Sequence, residues 1–285
     1  MRSALRKMLT DAKHSTTVGV FDSGAGGLSI LQELMSRKLN VDYVYLADRA
    51  MFPYGRKSVE ELSAAVERCI GELIKHYSPS IIIIACNTAS TYVLPRLRER
   101  WPEISFVGVV PAIKPAAAMS KSGHIAVLAT PATVTRPYLD DLIKRFAPNL
   151  KITKIGSSAL VSLVEHFLLE KSVNMDHIAT EIAELRANTN DADLLVLACT
   201  HFPIIKLQLK QCLGTKNIQI IDSGKAIANR CEDLLLNLKI ARPSPRELTS
   251  NCTVISTSEC ELRHYASWLI ANDLDKTNFT YRINF

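Results

Sequence analysis

Short apolar runs alternate along this chain with longer stretches in which apolar residues recur every three or four positions. The runs have the length of buried strands, and the periodic stretches are typical of amphipathic helices. This alternation predicts an α/β fold in which helices cover parallel sheets. The predicted strands lie at 18–21, 41–47, 81–85, 106–110, 125–129, 152–155, 194–198 and 218–221.

One helix start has a specific cap pattern. Ser58 and Glu61 have the spacing of a capping box, and apolar residues follow at Leu62, Val66 and Ile70. In such a box each of the two polar side chains binds the other residue's backbone N–H. We therefore predict that a helix begins after Ser58.

Two of the predicted strands end alike. Residues 81–90 read IIIIACNTAS and residues 194–203 read LLVLACTHFP, so a cysteine followed by small polar residues ends each run. In an open parallel sheet the ligand crevice lies beyond the carboxyl ends of the strands. We therefore expect the thiols of Cys86 and Cys199 at a ligand site, where they suggest proton transfer from two sides.

An approximate repeat suggests two related halves. Residues 18–24 read VGVFDSG, and residues 219–224 read QIIDSG. Together with the matched cysteines, this repeat predicts two α/β halves facing each other across a cleft. Breaks are predicted at 111–115 and near 222, and 241–246 is predicted to be a linker before a last strand–helix–strand unit that starts at 253.

Composition narrows the class of protein. The 285 residues are 47% hydrophobic, which supports sizeable cores. No apolar run is long enough for a membrane span, and the N-terminus lacks the apolar core of a signal peptide. The seven cysteines are odd in number and scattered, which favours free thiols in a reducing compartment. We therefore predict a cytoplasmic protein with no membrane partner.

The charge pattern argues against a nucleic-acid partner. The formal net charge is +6, but Lys and Arg are interspersed with Asp and Glu rather than massed beside aromatic residues. The first seventeen residues contain Arg2, Arg6, Lys7 and Lys13 against only Asp11, and they lack a strand pattern. We interpret residues 1–17 as an N-terminal extension.

The remaining cysteines are predicted to be structural, because a buried cysteine usually acts as a small hydrophobe. A zinc site would need more ligands than the Cys199 and His201 pair, so no metal is predicted. A cysteine hydrolase could use that same pair as nucleophile and base, but this hypothesis leaves Cys86 unexplained. The cysteines in the structural group are Cys69, Cys212, Cys231, Cys252 and Cys260.

A glycine-rich turn follows the first strand, where residues 18–28 read VGVFDSGAGGL. Backbone N–H groups at such a turn can form an anion-binding nest. The dinucleotide-binding pattern matches poorly, because Ser29 replaces the third glycine and Asp22 would lie beside a pyrophosphate. A small ligand with a carboxylate or an amine suits this turn better, and Asp22 could orient a base or bind ammonium. The alternative role of Asp22 is a helix cap.

Three further features remain ambiguous from the residues alone. Asp48 follows the second predicted strand, and the tripeptide of Pro53, Tyr54 and Gly55 could bind a substrate carboxylate or form a plain turn. Glu165 has the spacing of a solvated helix residue.

Taken together, four motifs resemble the glutamate racemase family of the cofactor-independent aspartate/glutamate racemases. They occur in the same order and span most of the chain. Mild departures are Ala25, Ala129 and Ala198, none of which removes a polar group. The motifs are DSGAGGL at 22–28, PYG at 53–55, ACNTAS at 85–90 and CTHFP at 199–203.

The resemblance implies a fold of two α/β domains with the second inserted into the first. The expected bounds are 18–110 and 222–285 for the first domain and 111–221 for the second. The resemblance also implies catalytic roles for Cys86 and Cys199, assisted by Asp22 and His201, and supporting roles for Asp48 and Glu165. The implied substrate-binding residues are Asp22, Ser23, Pro53, Tyr54, Gly55, Asn87, Thr88, Thr200 and His201.

The resemblance further implies a reaction and partners. It implies that L-glutamate and D-glutamate are interconverted by a two-cysteine 1,1-proton transfer without pyridoxal phosphate or metal, which supplies D-glutamate for peptidoglycan. The extension and residues 109–115 resemble a subgroup that responds to UDP-N-acetylmuramoyl-alanine. A monomer or a homodimer is expected.

Two other functions remain open from the sequence. An aspartate racemase would share the thiol pair and bind a shorter side-chain carboxylate. A binding or regulatory protein would retain the cleft, and its thiols would then be structural.

Overall fold

The computed structural model describes residues 16–214, 218–238, 251–259, 262–272 and 278–284 of the chain. All strand pairs within this part are parallel. The strands are β1 (Thr16–Asp22), β2 (Val41–Ala47), β3 (Ile81–Ile84), β4 (Ser105–Gly108), β5 (His124–Ala129), β6 (Lys151–Gly156), β7 (Leu194–Leu197), β8 (Gln219–Ile221), β9 (Asn251–Ser256) and β10 (Asn278–Ile283).

Helices connect the strands, as the apolar periodicity predicts. Three short 3₁₀ helices, Arg49–Met51, Tyr54–Arg56 and Phe202–Ile205, lie in loops. The α-helices are α1 (Leu28–Met35), α2 (Val59–Tyr77), α3 (Asn87–Arg100), α4 (Ile113–Met119), α5 (Pro131–Val134), α6 (Pro137–Phe146), α7 (Ala159–Glu170), α8 (Met175–Glu181), α9 (Ala183–Asn188), α10 (Lys206–Leu213), α11 (Gly224–Asn237) and α12 (Leu262–Ala271).

The strands form two sheets, which confirms the predicted α/β class. The first sheet has the order β10-β9-β2-β1-β3-β4, and the second has the order β6-β5-β7-β8. We call residues 16–108 and 251–284 the first lobe and residues 124–221 the second lobe. Within each sheet the central strands are apolar and buried, because helices cover both faces.

The structure confirms local details of the prediction, with small shifts in the bounds of the strands. The capping box is present, because Glu61 N donates to Ser58 Oγ at 3.2 Å and Ser58 N donates to Glu61 Oε2 at 3.0 Å. The fourth strand ends at Gly108 rather than at 110, and Val109 N donates instead to Ile84 O at 3.1 Å and to Ser90 Oγ at 3.1 Å.

The predicted last residue of the N-terminal extension, residue 17, is wrong. Thr16 and Thr17 belong to β1 and pair with Val41 and Asp42 of β2. Residues 1–15, the predicted linker 241–246 and Cys260 lie outside the described residues. The last unit joins the first sheet through the pairing of β9 with β2, and the exact domain bounds stay a prediction.

Across the described ranges, no helix combines the length and the apolar character that crossing a bilayer requires.

Candidate active site

The two cysteines lie at corresponding ends of their sheets. Cys86 connects β3 to α3, and Cys199 connects β7 to the 3₁₀ helix Phe202–Ile205. Both side chains line one cavity of about 240 Å³, and both residues are 7% exposed. The carboxyl ends of the two parallel sheets therefore face a common space, as expected for ligand crevices in such sheets.

The cavity also brings together the other site residues that the sequence predicts. Every predicted site residue except Asp48 and Glu165 lines the cavity. The predicted residues in the lining are Asp22, Ser23, Pro53, Tyr54, Gly55, Cys86, Asn87, Thr88, Cys199, Thr200 and His201.

Glu165 lies behind His201 rather than in the cavity. His201 Nδ1 is 3.9 Å from Cys199 Sγ, and His201 Nε2 is 2.8 Å from Glu165 Oε1. Glu165 is only 8% exposed, so its spacing-based interpretation as a solvated helix residue is wrong. Glu165 is instead a hydrogen-bond partner that fixes the orientation of the His201 ring next to the Cys199 thiol.

Glu165 also connects the two lobes. Its Oε1 accepts a hydrogen bond from Ala25 N at 2.8 Å, and its Oε2 forms an ion pair with Arg49 at 2.7 Å. Ala25 and Arg49 belong to loops of the first lobe, whereas Glu165 and His201 belong to the second lobe. The carboxylate thus fixes the histidine relative to both lobes.

The electrostatics of this pair favour the charged forms. Burial alone would lower the pKa of His201, but its hydrogen bonds to Cys199 and Glu165 hold that pKa well above its ordinary value. Burial alone would raise the pKa of Glu165, but His201 and Arg49 hold it below its ordinary value. Two opposite charges therefore stabilise each other in a dry setting.

Asp22 lies at the end of β1 and is fully buried. Its Oδ1 accepts hydrogen bonds from Gly24 N at 2.9 Å and Ser23 Oγ at 3.2 Å, and its Oδ2 accepts one from Thr200 Oγ1 at 3.0 Å. Burial raises the pKa of Asp22 despite the opposing effect of His201. A buried carboxyl of raised pKa in a cavity is suited to receive and return a proton.

The surroundings of the Cys86 thiol favour its neutral form. Burial, and after it the charge of Asp22, raise the pKa of Cys86 to about 12. Hydrogen bonds from the backbone N–H groups of Ala89 and Thr88, in the first turn of α3, act in the opposite direction. Helix N-termini favour an anion, so this turn can stabilise a thiolate when one forms.

Asp48 does not line the cavity but binds a residue that does. Tyr54 Oη donates a hydrogen bond to Asp48 Oδ2 at 2.6 Å, and Thr257 Oγ1 donates one to Asp48 Oδ1 at 2.7 Å. Asp48 therefore fixes the tyrosine of the motif at 53–55, where Phe52 and Pro53 are joined by a cis peptide bond. Its role is to position the loop that lines the cavity.

The protein itself uses two N–H groups of the glycine-rich turn. The N–H groups of Gly24 and Ala25 donate to the carboxylates of Asp22 and Glu165. These two N–H groups are therefore not free for a ligand, and an anion nest built from the rest of the turn stays a prediction. The glycines instead allow close approach, since a Cβ at Gly26 would lie 2.6 Å from Thr200 Oγ1 and would collide with His201 Nδ1.

Among the described residues that line the cavity, one buried side-chain oxygen lacks a hydrogen-bond partner. Asn87 Oδ1 has no hydrogen-bond partner there, although Asn87 is 7% exposed and lines the cavity. Buried acceptors are rarely left unpaired, so this oxygen is suited to accept a hydrogen bond from a ligand.

Sequence reasoning misses several residues of the site and its support. Arg49 and Thr257 show no motif, because their partners Glu165 and Asp48 are distant in the sequence. Residues from the second lobe also line the cavity. Their place there depends on how the two lobes pack against each other, which the sequence does not show. They are Thr130, Pro131, Ala132, Thr133, Ser158, Val161 and Ser162.

Within the part of the chain that the structure describes, no group of three or more His, Cys, Asp or Glu side chains could hold a metal ion. The hydrolase alternative still leaves Cys86 without a role in the cavity that it shares with Cys199.

Comparison with known proteins gives the class. Residues 29–231 match the family model described as Asp/Glu/Hydantoin racemase. The chain therefore belongs to the Asp/Glu/hydantoin racemase family, and its enzyme class is that of an isomerase.

The relatives within this family are more specific. The glutamate racemase of Shewanella denitrificans is 48% identical over 216 residues, which are 76% of this chain and 76% of that protein. The Escherichia coli glutamate racemase, solved with L-glutamate and the activator UDP-MurNAc-Ala, has a TM-score of 0.82 and 34% identity over 94% of this chain and 97% of its own. The Francisella tularensis glutamate racemase, solved with D-glutamate, has a TM-score of 0.73 and 26% identity over 94% and 97% of the two chains.

Proposed function

We propose that this chain interconverts L-glutamate and D-glutamate by proton transfer through Cys86 and Cys199. The observation that carries the proposal is the shared cavity, which both thiols line from the ends of different sheets. The glutamate racemases among its relatives support the substrate.

Inversion of a carbon centre explains why two thiols are needed. One thiolate removes the α-proton from one face, and the bond electrons stay on the α-carbon as a carbanion-like state. The opposite thiol then donates its proton to the other face and becomes a thiolate. A free thiol has a pKa of about 8.5, so each sulfur needs a neighbour that can exchange its proton. Asp22 serves Cys86, and His201 serves Cys199.

The two directions use the thiols in opposite roles. Cys86 acts as the base on D-glutamate, and Cys199 acts as the base on L-glutamate. The α-proton is a very weak acid, so the carbanion-like state depends on preorganised donors in a dry cavity. The hydroxyl of Thr88 lines the cavity and is suited to this task, whereas Ser23 and Thr200 donate their hydroxyl protons to Asp22.

Binding groups for the substrate follow from the unused hydrogen-bonding capacity. Asn87 Oδ1 accepts a hydrogen bond from the substrate ammonium. Tyr54 already donates its hydroxyl proton to Asp48, so this hydroxyl can only accept from a ligand. The backbone of Pro53 and Gly55 shapes the wall that receives a side-chain carboxylate. No pyridoxal phosphate or metal takes part.

The product has a role in the cell wall. We propose that the enzyme supplies D-glutamate for peptidoglycan biosynthesis from the cytoplasm, as a monomer or a homodimer. The same proposal includes activation by UDP-N-acetylmuramoyl-alanine, which the Escherichia coli relative contains in its solved structure. A steady-state assay with and without this nucleotide should show a faster rate when it is present, and an unchanged rate would contradict the activation.

The substrate is tested by chiral chromatography of reactions that start from L-glutamate, D-glutamate, L-aspartate or D-aspartate. We expect conversion of both glutamate enantiomers and little conversion of aspartate. Cys86→Ala and Cys199→Ala should each abolish racemisation, whereas Cys212→Ala should retain it, because Cys212 is only partly buried and does not line the cavity. Conversion of aspartate alone would favour an aspartate racemase, and no conversion of either amino acid would favour a binding protein.

A further inference from the structure

One arginine of the second lobe reaches across the cleft to the Cys86 side. Arg136 caps the start of α6, and its Nη1 donates a hydrogen bond to Thr88 O at 3.2 Å. Its guanidinium carbon also lies 3.9 Å from the ring centroid of Tyr92. Thr88 and Tyr92 both belong to α3 of the first lobe, so these two contacts join the lobes.

The contact is made at the turn that faces the thiol. Thr88 and Ala89 direct their backbone N–H groups to Cys86, and Arg136 holds the carbonyl of the same Thr88. The hydrogen bond and the aromatic face already restrict the rotamers of this guanidinium. It therefore loses little further conformational entropy when it interacts with a nearby charge. Arg136 therefore constrains the position of the first turn of α3.

Arg136 also brings a positive charge to the turn that contacts Cys86, through its hydrogen bond to Thr88 O at 3.2 Å. It is half-buried and interacts electrostatically with Cys86. Burial lowers the pKa of Arg136, and the neighbouring Tyr92 and Cys86 act in the opposite direction. Asp22, Cys199, Tyr45 and Tyr54 also interact with Cys86, and negative charge on any of these four groups disfavours the thiolate. Arg56 and His201 line the same cavity, and positive charge on them, as on Arg136, favours the thiolate.

We propose that Arg136 is a positioning residue that couples closure of the cleft to activation of Cys86. It does so by holding the first turn of α3, whose N–H groups contact Cys86, and by placing a guanidinium against Thr88, through contacts that require the two lobes to be together. Arg136 does not line the substrate cavity, so it acts through Thr88 and Cys86 rather than on the substrate. This inference rests on the proposed role of Cys86 as a base.

The first measurement is kinetic. Arg136→Ala should lower kcat/KM by about tenfold or more, the loss expected when a close opposite charge is removed from a partly buried site. The loss must be equal for L- and D-glutamate, because enantiomers have equal free energies in water. Arg136→Lys should retain more activity than Arg136→Gln, because lysine keeps the charge whereas glutamine keeps only a hydrogen-bond donor.

The matched control is Arg145→Ala. Arg145 is an exposed arginine on the same helix α6, and its guanidinium lies 5.0 Å from the ring centroid of Phe146. It does not line the substrate cavity, so kcat/KM should stay within about twofold of the parent value. Thermal unfolding of every variant shows whether it is folded. If Arg136→Ala does not fold, the lysine and glutamine variants provide the comparison.

The second measurement does not depend on racemisation. The rate at which iodoacetamide alkylates Cys86 in the full chain is followed against pH by mass spectrometry of the tryptic peptide 76–96, in which Cys86 is the one cysteine. Arg136→Ala and Arg136→Gln should raise the apparent pKa of Cys86, and Arg136→Lys should restore most of the parent value.

The outcomes separate the two proposals. If the parent racemises glutamate but Arg136→Ala changes neither kcat/KM nor the pH dependence of alkylation, the role of Arg136 is overturned while the racemase function stands. An equal loss in Arg145→Ala would likewise overturn it. If the parent does not racemise glutamate but the alkylation profile shifts as expected, the proposed function fails while the electrostatic link from Arg136 to Cys86 stands.

Discussion

Thr200 and Asp22 join the two lobes inside the cavity: the hydroxyl of Thr200 donates a hydrogen bond to Asp22 Oδ2 at 3.0 Å. Asp22 comes from the end of β1, and Thr200 follows Cys199 beyond β7. The carboxyl assigned to the Cys86 side is thus oriented by the loop that holds the opposite thiol. This contact makes the geometry of each half depend on the other.

Replacement of Asp22 tests its proposed role in proton transfer. Asp22→Asn keeps an acceptor for Gly24 N but removes the ionisable group, so we expect kcat/KM to fall roughly 100- to 1,000-fold. Thr200→Val removes the hydrogen bond and keeps the carboxyl, so its loss should be much smaller. Steady-state kinetics in both directions measure these effects. Equal losses in the two variants would show that Asp22 acts only through its contact with Thr200.

The Glu165 and His201 pair predicts a specific pH dependence of stability. The pKa of Glu165 is below its ordinary value of 4.5, so its stabilisation is lost as the pH falls through the folded-state pKa. The pKa of His201 is above its ordinary value of 6.5, so its stabilisation is lost only as the pH rises through a higher folded-state pKa. The stabilisation by the pair is therefore complete between about pH 4.5 and 6.5, and the His201 contribution declines as the pH rises from 6.5 through its folded-state pKa.

Glu165→Gln should therefore lower the free energy of unfolding by about 2–4 kcal/mol near pH 7, because it removes the carboxylate that pairs with the buried His201 ring. Urea unfolding at several pH values measures this difference, which should shrink as the pH falls well below 4.5. Glu170→Gln on the same helix is the control, since Glu170 forms an exposed pair with His166. A difference that does not change with pH would contradict the ionic origin of the effect.

Close approach at Gly26 predicts a site defect with little loss of fold. Gly26→Ala should displace His201 and lower kcat/KM on the order of 100-fold, because small misplacements of catalytic groups carry such losses. Gly71→Ala is the control, since Gly71 lies within α2 and its Cβ would be 3.7 Å from Trp101 Cζ2, an ordinary van der Waals contact. That change should stabilise the protein by about 0.5–1 kcal/mol. Full activity of Gly26→Ala would contradict the tight packing at His201.

The sequence predicts the features that are local or repeated. The apolar runs locate the strands, and the matched ends at Cys86 and Cys199 locate the cavity, because buried parallel strands must be apolar and ligands bind at their carboxyl ends. Ser58 and Glu61 predict a helix start, since both partners of the capping box lie within four residues.

The features that the sequence misses depend on contacts between the lobes. Glu165 has the sequence context of a surface residue, and only the approach of Arg49 and Ala25 from the first lobe buries it. The use of the Ala25 N–H group by the Glu165 carboxylate is equally non-local. A turn motif indicates that backbone N–H donors are available, but it does not show which acceptor binds them.

The central claim is that Cys86 and Cys199 act as separate bases on opposite faces of one substrate. Racemisation of L-glutamate in D₂O, stopped at low conversion and analysed by mass spectrometry after chiral separation, tests it directly. The D-glutamate formed should carry deuterium at the α-carbon, because the donating thiol has exchanged with solvent, while the recovered L-glutamate should remain protiated. Deuterium appearing in recovered L-glutamate as fast as in the product would contradict two separate bases.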